Sequence, residues 1–495
     1  MAEGIIVFAG VIVLVVQFAV QKYFLSDQGI DHTQVVGAPL DDVYIHCRYA
    51  ENVLTGHGYS FNPGHTVSAD TSPLWVMLIA IGGLFSSHLD LIAVILSSLF
   101  YVLLAPLVFR ICRNTFEISY FWSLTAGVIT LLSSRLVWAS ASGMEVSLAC
   151  LLTLIIFHEH FRQRQYGGSM RIREGIFLAL GIAARPELMF LALICLVDWF
   201  FIVVKEKKGF WNLLKCKIMF LVFVSPVYLI PYFERQSLIY HSAIVQGARI
   251  SFLPDMGYLL FALKVLIASF SIPVVLAFLS PFLLKKIKGL AALQIFGLGL
   301  PILLAFIAPQ FRHHGRYFFE VFPVLIILGI LTAAKIFSFF SKNVVIYIQS
   351  VIIAIAVIGA WRGILLSSES VRNINDQHLA VASWLNDHLT VSDKLAVDDV
   401  GAIGYFSKQP VIDLTGLISP EFFPLQKDQS LVWKEARRQG ANLFIIYTRL
   451  NPTFYQFARD SLQLIKEFRV REPLVAGADT VMSVFKIKED IHATR

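Results

Sequence analysis

The chain has 495 residues, of which 57% are hydrophobic and 15% charged, and its mean hydropathy is +0.69. That composition excludes a soluble globular chain and predicts an integral membrane protein. The net charge of +7 does not mark a nucleic-acid-binding stripe, because Lys and Arg fall mostly in short loops between apolar runs, where they report topology.

The first 24 residues, MAEGIIVFAGVIVLVVQFAVQKYF, contain an apolar run with no basic residue before it and no small-residue cleavage site. They read as an uncleaved first span. Twenty residues beyond that span, Asp41-Asp42 opens a polar stretch running to Trp75. Two adjacent carboxylates just outside a bilayer are costly unless solvated or put to use. The run 73–87 opens with Pro73 and is short enough to lie in the interface instead of crossing. Apolar runs predict eleven spans: 4–21, 89–109, 118–134, 143–160, 174–184, 187–204, 212–232, 258–283, 290–308, 317–340 and 343–362. The run 174–184 ends at Arg185-Pro186 and reads as a broken helix.

Four basic clusters fix the sidedness: Arg110/Arg113, Arg162/Arg164/Arg171/Arg173, Lys205/Lys207/Lys208 and Lys285/Lys286/Lys288. Placing all four in the cytoplasm puts the N-terminus inside. Loop 22–88, the turn at 135–145, loop 233–257 and the segment 310–316 then share the outer face. Hydropathy falls after residue 366, so 1–366 reads as a transmembrane domain and 367–495 as an outer α/β domain. In the latter, 394–399, 410–414 and 443–448 read as strands and 432–440 as a helix ending at Gly440. Five scattered cysteines form neither a disulfide framework nor a metal spacing.

Chemistry-bearing residues collect on the outer side. Asp41, Asp42 and Tyr44 head the loop, Glu145 begins a span, and Arg185 and Glu187 flank the break. Tyr240, His241 and Arg249 lie in one later loop and Arg312, His313, His314 and Arg316 in another. Carboxylates beside an Arg/His cluster at a membrane boundary suit proton abstraction from a hydroxyl while guanidinium forks hold a phosphate leaving group. Each element also has a structural reading: Asp42 as a helix cap, and Glu145 with Arg185 as a pair inside the bundle. His158-Glu159-His160 lies on the inner side and lacks the spacing of a zinc helix, and Asp398-Asp399 reads as a strand end. The adjacent aspartates could hold a divalent cation, but two carboxylates alone make a poor site, so no metal ligand is assigned.

The order DD-x-Y-x-x-x-RYA-x-N, GHGYSFNPG and SPLW resembles the first outer loop of the GT-C glycosyltransferases, nearest the group that includes the terminal arabinofuranosyltransferases of mycobacterial cell walls. SGMEVSL, ARPE, HHGRYFFEVFPVL and VDDVGAIGYFSKQPVIDLTGL follow in the same order as that group's motifs. The resemblance implies a membrane glycosyltransferase of the bacterial inner membrane. It would use a polyprenyl-phosphate-sugar donor and a glycan or glycolipid acceptor, with Asp41 or Asp42 as catalytic base and Asp41 favoured. The relatives' sugar, a pentofuranose such as arabinofuranose, is not carried over. This chain has Ala69-Asp70-Thr71-Ser72 where Gly-Tyr-Thr-Asn is common, and Val146 where Thr is common.

Two other classes fit the spans. A transporter or flippase of a lipid-linked sugar accounts less well for a long acid-headed loop and an outer domain. A non-catalytic envelope assembly subunit would leave the paired acids without a task.

Overall fold

The structure is a computed structural model that describes residues 2–26, 37–165, 170–207, 209–235, 240–245, 247–284, 289–390, 392–472 and 479–488. Lys208, Lys285, Lys286 and Lys288 of the basic clusters lie outside the described residues, as does 27–36 of the first loop.

Apolar sequence runs become the helices that can face lipid, because only hydrogen-bond-complete segments tolerate hydrocarbon. The bundle is built from α1 (Ala2–Ser26), α4 (Leu89–Arg110), α5 (Tyr120–Leu132), α6 (Ser134–Ser140), α7 (Val146–Gln165), α8 (Ile172–Ala184), α9 (Leu188–Glu206) and α10 (Phe210–Arg235). It continues with α12 (Met256–Ile267), α13 (Ile272–Leu276), α14 (Ser280–Leu283), α15 (Leu290–Ile307), α16 (Val321–Ile336) and α17 (Lys342–Ile374). The first loop contributes α2 (Asp42–Leu54) and α3 (Pro73–Gly83), and a single turn, α11 (His241–Val245), precedes α12. Among the described residues, seven helices are long and apolar enough to cross a membrane, and eight if the bent pair α5–α6 is one span. The chain is thus a multi-pass membrane protein.

Three of the eleven expected spans fall short of that test. The last turns of α7 are diluted by His158, Glu159, His160 and Arg162. The helix α8 has 13 residues, and 258–283 breaks between α12 and α13. The expected span 118–134 bends by 56° at Ser133, where Ser134 N–H donates to the Ser269 carbonyl 3.3 Å away and so regains a partner for the broken ladder. With 11 residues, α3 is too short to cross, and it buries Trp75, Val76 and Ile79 against its neighbours.

The expected boundary at 366 falls inside α17, which continues through a π turn into α18 (Ala380–His388) without a break. Beyond it a five-stranded sheet forms in the order β2-β1-β3-β5-β4. The three expected strands are β1 (Leu395–Val397), β2 (Val411–Asp413) and β3 (Leu443–Ile446), all mutually parallel. The antiparallel pair β4 (Leu462–Arg469) and β5 (Val481–Ile487) was not foreseen. The helices α19 (Gly401–Ser407), α20 (Gln429–Arg438) and α21 (Pro452–Ala458) complete this region.

The first loop is clamped between bundle and sheet. Asn62 bonds both backbone groups of Val411 (2.8 and 3.2 Å), which covers the open edge of β2. Both carboxylate oxygens of Asp41 accept amide hydrogens at the start of α19, from Gly401 and Ala402, each at 2.7 Å. Tyr44 packs on Tyr405 and Phe406 of the same helix. A Cβ on Gly401 would overlap the Asp41 carboxylate and carbonyl. Gly401→Ala is therefore expected to destabilise this junction by about 1–3 kcal/mol. Thermal unfolding of the detergent-solubilised protein, with limited proteolysis of the C-terminal region, checks it.

Candidate active site

Local backbone chemistry builds the site. The residue before a proline is pushed out of the α region, so α8 stops at Arg185, which is extended (φ −154°, ψ 130°) before Pro186. Its side chain meets the starts of α7, α9 and α16. Further on, His313, His314 and Gly315 are all left-handed, at φ 51°, 58° and 83°. Such strain in two non-glycine residues persists only where the surroundings enforce it. The reversal it makes delivers Arg316 onto the Asp42 carboxylate.

These segments enclose a cavity of about 850 Å³. One wall is apolar, with Met189, Phe190 and Leu193 from α9 facing Leu300, Leu303, Leu304 and Ile307 from α15. The other end is polar. Arg185 is buried among three carboxylates: Glu145 at 2.9 Å, Glu187 at 3.0 Å and Glu320 at 2.8 Å. Glu145 also faces His46 Nε2 at 3.3 Å, and His46 Nδ1 contacts Asp70. Asp70 in turn accepts from the Tyr59 hydroxyl (3.0 Å) and the Ser72 amide (2.6 Å). Both guanidinium groups, of Arg185 and Arg316, lie within 5.5 Å of the Tyr317 ring centre.

The charges set one another. Burial opposes protonation of His46, but Asp70 and Glu145 outweigh it and raise the imidazole to about 10. Burial likewise works against the Glu145 carboxylate, and His46 and Arg185 still hold it down at about 2. Burial works against the Asp42 carboxylate too, but the neighbouring Arg316 outweighs it and holds the group below its usual range. Glu320 goes the other way, raised to about 7 by burial that Arg185 offsets only in part. Burial and the neighbouring Arg316 lower His313 to about 3, so it is neutral at pH 7.

Six residues expected from the sequence line this cavity: Asp42, Glu145, Arg185, Glu187, Arg249 and Arg316. The geometry separates the two aspartates, and of the pair Asp42 lines the cavity. Asp41 is buried on the sheet side, its oxygens taken by the amides of α19, and it does not line the cavity. Asp42 starts α2 instead of capping it. Tyr44 belongs to the α19 contact. Tyr240 is buried and donates to the Val227 carbonyl at 2.7 Å. His241 Nε2 meets the Gly416 carbonyl at 2.6 Å, which ties α11 to the sheet domain. His313 stands 3.9 Å from Asp42, His314 packs edge-on against Trp138, and Arg312 is exposed outside the lining.

Sequence reasoning missed His46, Tyr317 and Glu320, and named Asp70 only as part of a departure from the family pattern. His46 and Asp70 lay inside quoted motifs, and the departure Ala69-Asp70-Thr71-Ser72 falls on the cavity wall in full. As for metals, Asp42 and Asp70 are each paired with a cationic side chain. Asp41, His378 and Asp399 converge within 4.8 Å at the sheet junction, but the Asp41 oxygens already accept two amides. Asp398 accepts from the Tyr447 amide at 2.9 Å, a strand-end role as expected.

With that geometry in view, the similarity to solved structures decides the architecture. ArnT from Cupriavidus metallidurans bound to undecaprenyl phosphate matches with a TM-score of 0.60 at 11% identity, over 96% of this chain and 97% of that one. The chain has the GT-C fold. The Archaeoglobus fulgidus oligosaccharyltransferase in the apo form matches at a TM-score of 0.58 and 11% identity, over 91% of this chain and 71% of that one. The archaeal oligosaccharyltransferase AglB from the same organism, in complex with an inhibitory peptide and a dolichol-phosphate, matches at 0.53 with the same identity and coverage. A family model described as "Domain of unknown function (DUF8728)" matches residues 372–485, the sheet region of this GT-C chain. No protein of curated function matches the sequence.

Two outcomes follow for the GT-C polar end. Removing one member of a buried charge group leaves the others unpaired, so Arg185→Met is expected to cost about 3–5 kcal/mol, read as a lowered unfolding temperature. The folded His46 value lies above its ordinary 6.5, so its ion pairs stabilise fully below about pH 6.5 and are lost as pH rises through about 10. Unfolding temperature should fall from pH 7 to pH 10, and His46→Gln should flatten that fall.

Proposed function

We propose that the protein is a glycosyltransferase that moves a sugar from a polyprenyl-phosphate-sugar to a hydroxyl of a glycan or glycolipid. The reaction would take place at the outer face of a bacterial inner membrane. The N-terminus is then cytoplasmic and the sheet domain outside, as the basic clusters suggest. One observation carries the reading: a single cavity joins an apolar wall to a carboxylate–guanidinium pair, Asp42 with Arg316. A prenyl chain fits the wall between α9 and α15. The phosphate fits Arg316, whose Nε and Nη1 are buried without a hydrogen-bond partner, and Arg249 at the cavity wall. The fold neighbours solved with undecaprenyl phosphate and dolichol-phosphate support a lipid-phosphate ligand.

Asp42 is the base in this reading. Held low by Arg316, it is a weak base while the pair is closed. An arriving phosphate competes for the same guanidinium, which loosens the pair and restores basicity where the acceptor hydroxyl lies. The hydroxyl oxygen then bonds the anomeric carbon, its proton passes to Asp42, and the bond to the phosphate oxygen breaks. Polyprenyl phosphate leaves with its charge stabilised by Arg316 and Arg249. Asp41 positions the loop through α19. The sugar follows from the walls around Asp70 and Ser72, where this chain differs from the arabinofuranosyltransferase pattern, so a pentofuranose is one candidate among several.

The test is transfer by purified protein in nanodiscs, with native lipid extract as donor and mass spectrometry of released polyprenyl phosphate. Asp42→Asn should lower turnover by about 10²–10⁴-fold, while Asp41→Asn lowers stability and keeps turnover per folded molecule. Loss of turnover per folded molecule in Asp41→Asn with turnover kept in Asp42→Asn would move the base back to Asp41. Transfer by neither variant nor wild type, with lipid-linked sugar crossing the bilayer instead, would favour the transporter.

A further inference from the structure

The cavity occupies one end of the helices α7, α8 and α9. A second polar cluster lies further along the same helices, between about 10 and 21 Å from their cavity ends at 1.5 Å per residue. His160 near the end of α7, Glu174 in the first turn of α8 and Cys195 in α9 are each 0% exposed. One ligand atom from each lies within 4.8 Å of the other two. The imidazole is oriented from both sides. Nδ1 is 2.8 Å from Glu174 Oε1, and Nε2 is 3.0 Å from Asp198 Oδ2. Asp198 is held by Arg164 at 2.9 Å, and Trp199 Nε1 donates to both oxygens of Glu174 at 3.0 and 3.1 Å.

We propose that His160, Glu174 and Cys195 form a divalent-cation site of the zinc class, with Asp198 orienting the imidazole from behind. Three lines carry it. The donor set is one nitrogen, one oxygen and one sulfur, which matches the ligands zinc takes. The carboxylate behind His160 reproduces the relay in which a metal-bound imidazole gives its second N–H to an acid. Charge closes as well: Arg164 balances Asp198, and among the described residues Glu174 has His160 but no Lys or Arg at ion-pair distance. A divalent ion bound by the Glu174 carboxylate, the Cys195 thiolate and neutral His160 makes that group neutral. Binding would release the thiol proton and any proton on Nδ1. Tetrahedral zinc places its ligand atoms about 3.3–3.6 Å apart, so Nδ1 and Oε1 would separate by roughly half an ångström. The fourth position is left to water.

Sequence spacing could not show this, since His158 and His160 lack the i,i+4 zinc pattern and the ligands come from three helices. The same helices carry Glu145, Arg185 and Glu187 at their cavity ends. A cation here would therefore tie the frame that holds the cavity charges.

The experiment is metal analysis of full-length protein purified without chelators, then incubated with zinc alone or cobalt alone and desalted. About one equivalent of metal should be retained per chain, and the cobalt form should show a near-ultraviolet thiolate-to-metal band. Cys195→Ser should lose the band and Glu174→Gln the retained metal. Asp198→Asn should weaken affinity by about 10–100-fold. Wild type that retains no metal and gives no band overturns the proposal and leaves the cluster as an ion pair held by protonated His160. Metal retained equally by Cys195→Ser and Glu174→Gln also overturns it. Because the wild-type band is read directly, a variant that fails to fold does not decide the matter.

Discussion

A guanidinium with almost no access to solvent, surrounded by three carboxylates, is the constraint on which the site depends. Arg185 is 3% exposed and touches Glu145, Glu187 and Glu320. Each carboxylate stands at a helix end: Glu145 before α7, Glu187 before α9 and Glu320 before α16. Buried charges are tolerated only when paired, so none of these ends can drift without leaving another unpaired. The network holds four helix termini at fixed separation, and the gap they leave is the polar end of the cavity. His46 and Asp70 extend the same network into the first loop.

That loop has two faces, and the paired aspartates divide between them. Adjacent residues at the start of a helix point in different directions, so Asp41 and Asp42 cannot serve one purpose. Asp41 meets the amides of Gly401 and Ala402, while Asp42 meets Arg316. The sheet domain therefore reaches the cavity through the contacts of the first loop, Asp41 and Asn62 among them, and through the His241 contact with the Gly416 carbonyl, with Leu417 completing the wall. Its contribution is to fix the loop that carries the other aspartate.

Much of this could be read from residues alone, and the failures have physical causes. Long apolar runs marked the seven helices that are long and apolar enough to cross among the described residues, because a hydrocarbon core needs that length. The break at Arg185-Pro186 was legible for the same local reason that makes it real. The two antiparallel strands after 460 were missed, since Leu462–Arg469 has a mostly exposed face and no clean alternation. His46 and Asp70 escaped because their role lies in a contact between loop positions 24 residues apart. Sequence offered no physical argument to separate Asp41 from Asp42, because it cannot say which of two neighbours faces a domain some 360 positions away.

Where a lipid phosphate sits decides between these roles most directly. The deciding measurement is a cryo-EM structure of the protein in nanodiscs with a polyprenyl phosphate. The expected map has the phosphate on Arg316, the prenyl chain along the wall between α9 and α15, and the Arg316–Asp42 contact opened. A lipid bound elsewhere, or bound with that contact still closed, would contradict the assignment of Asp42 as the base that the phosphate releases.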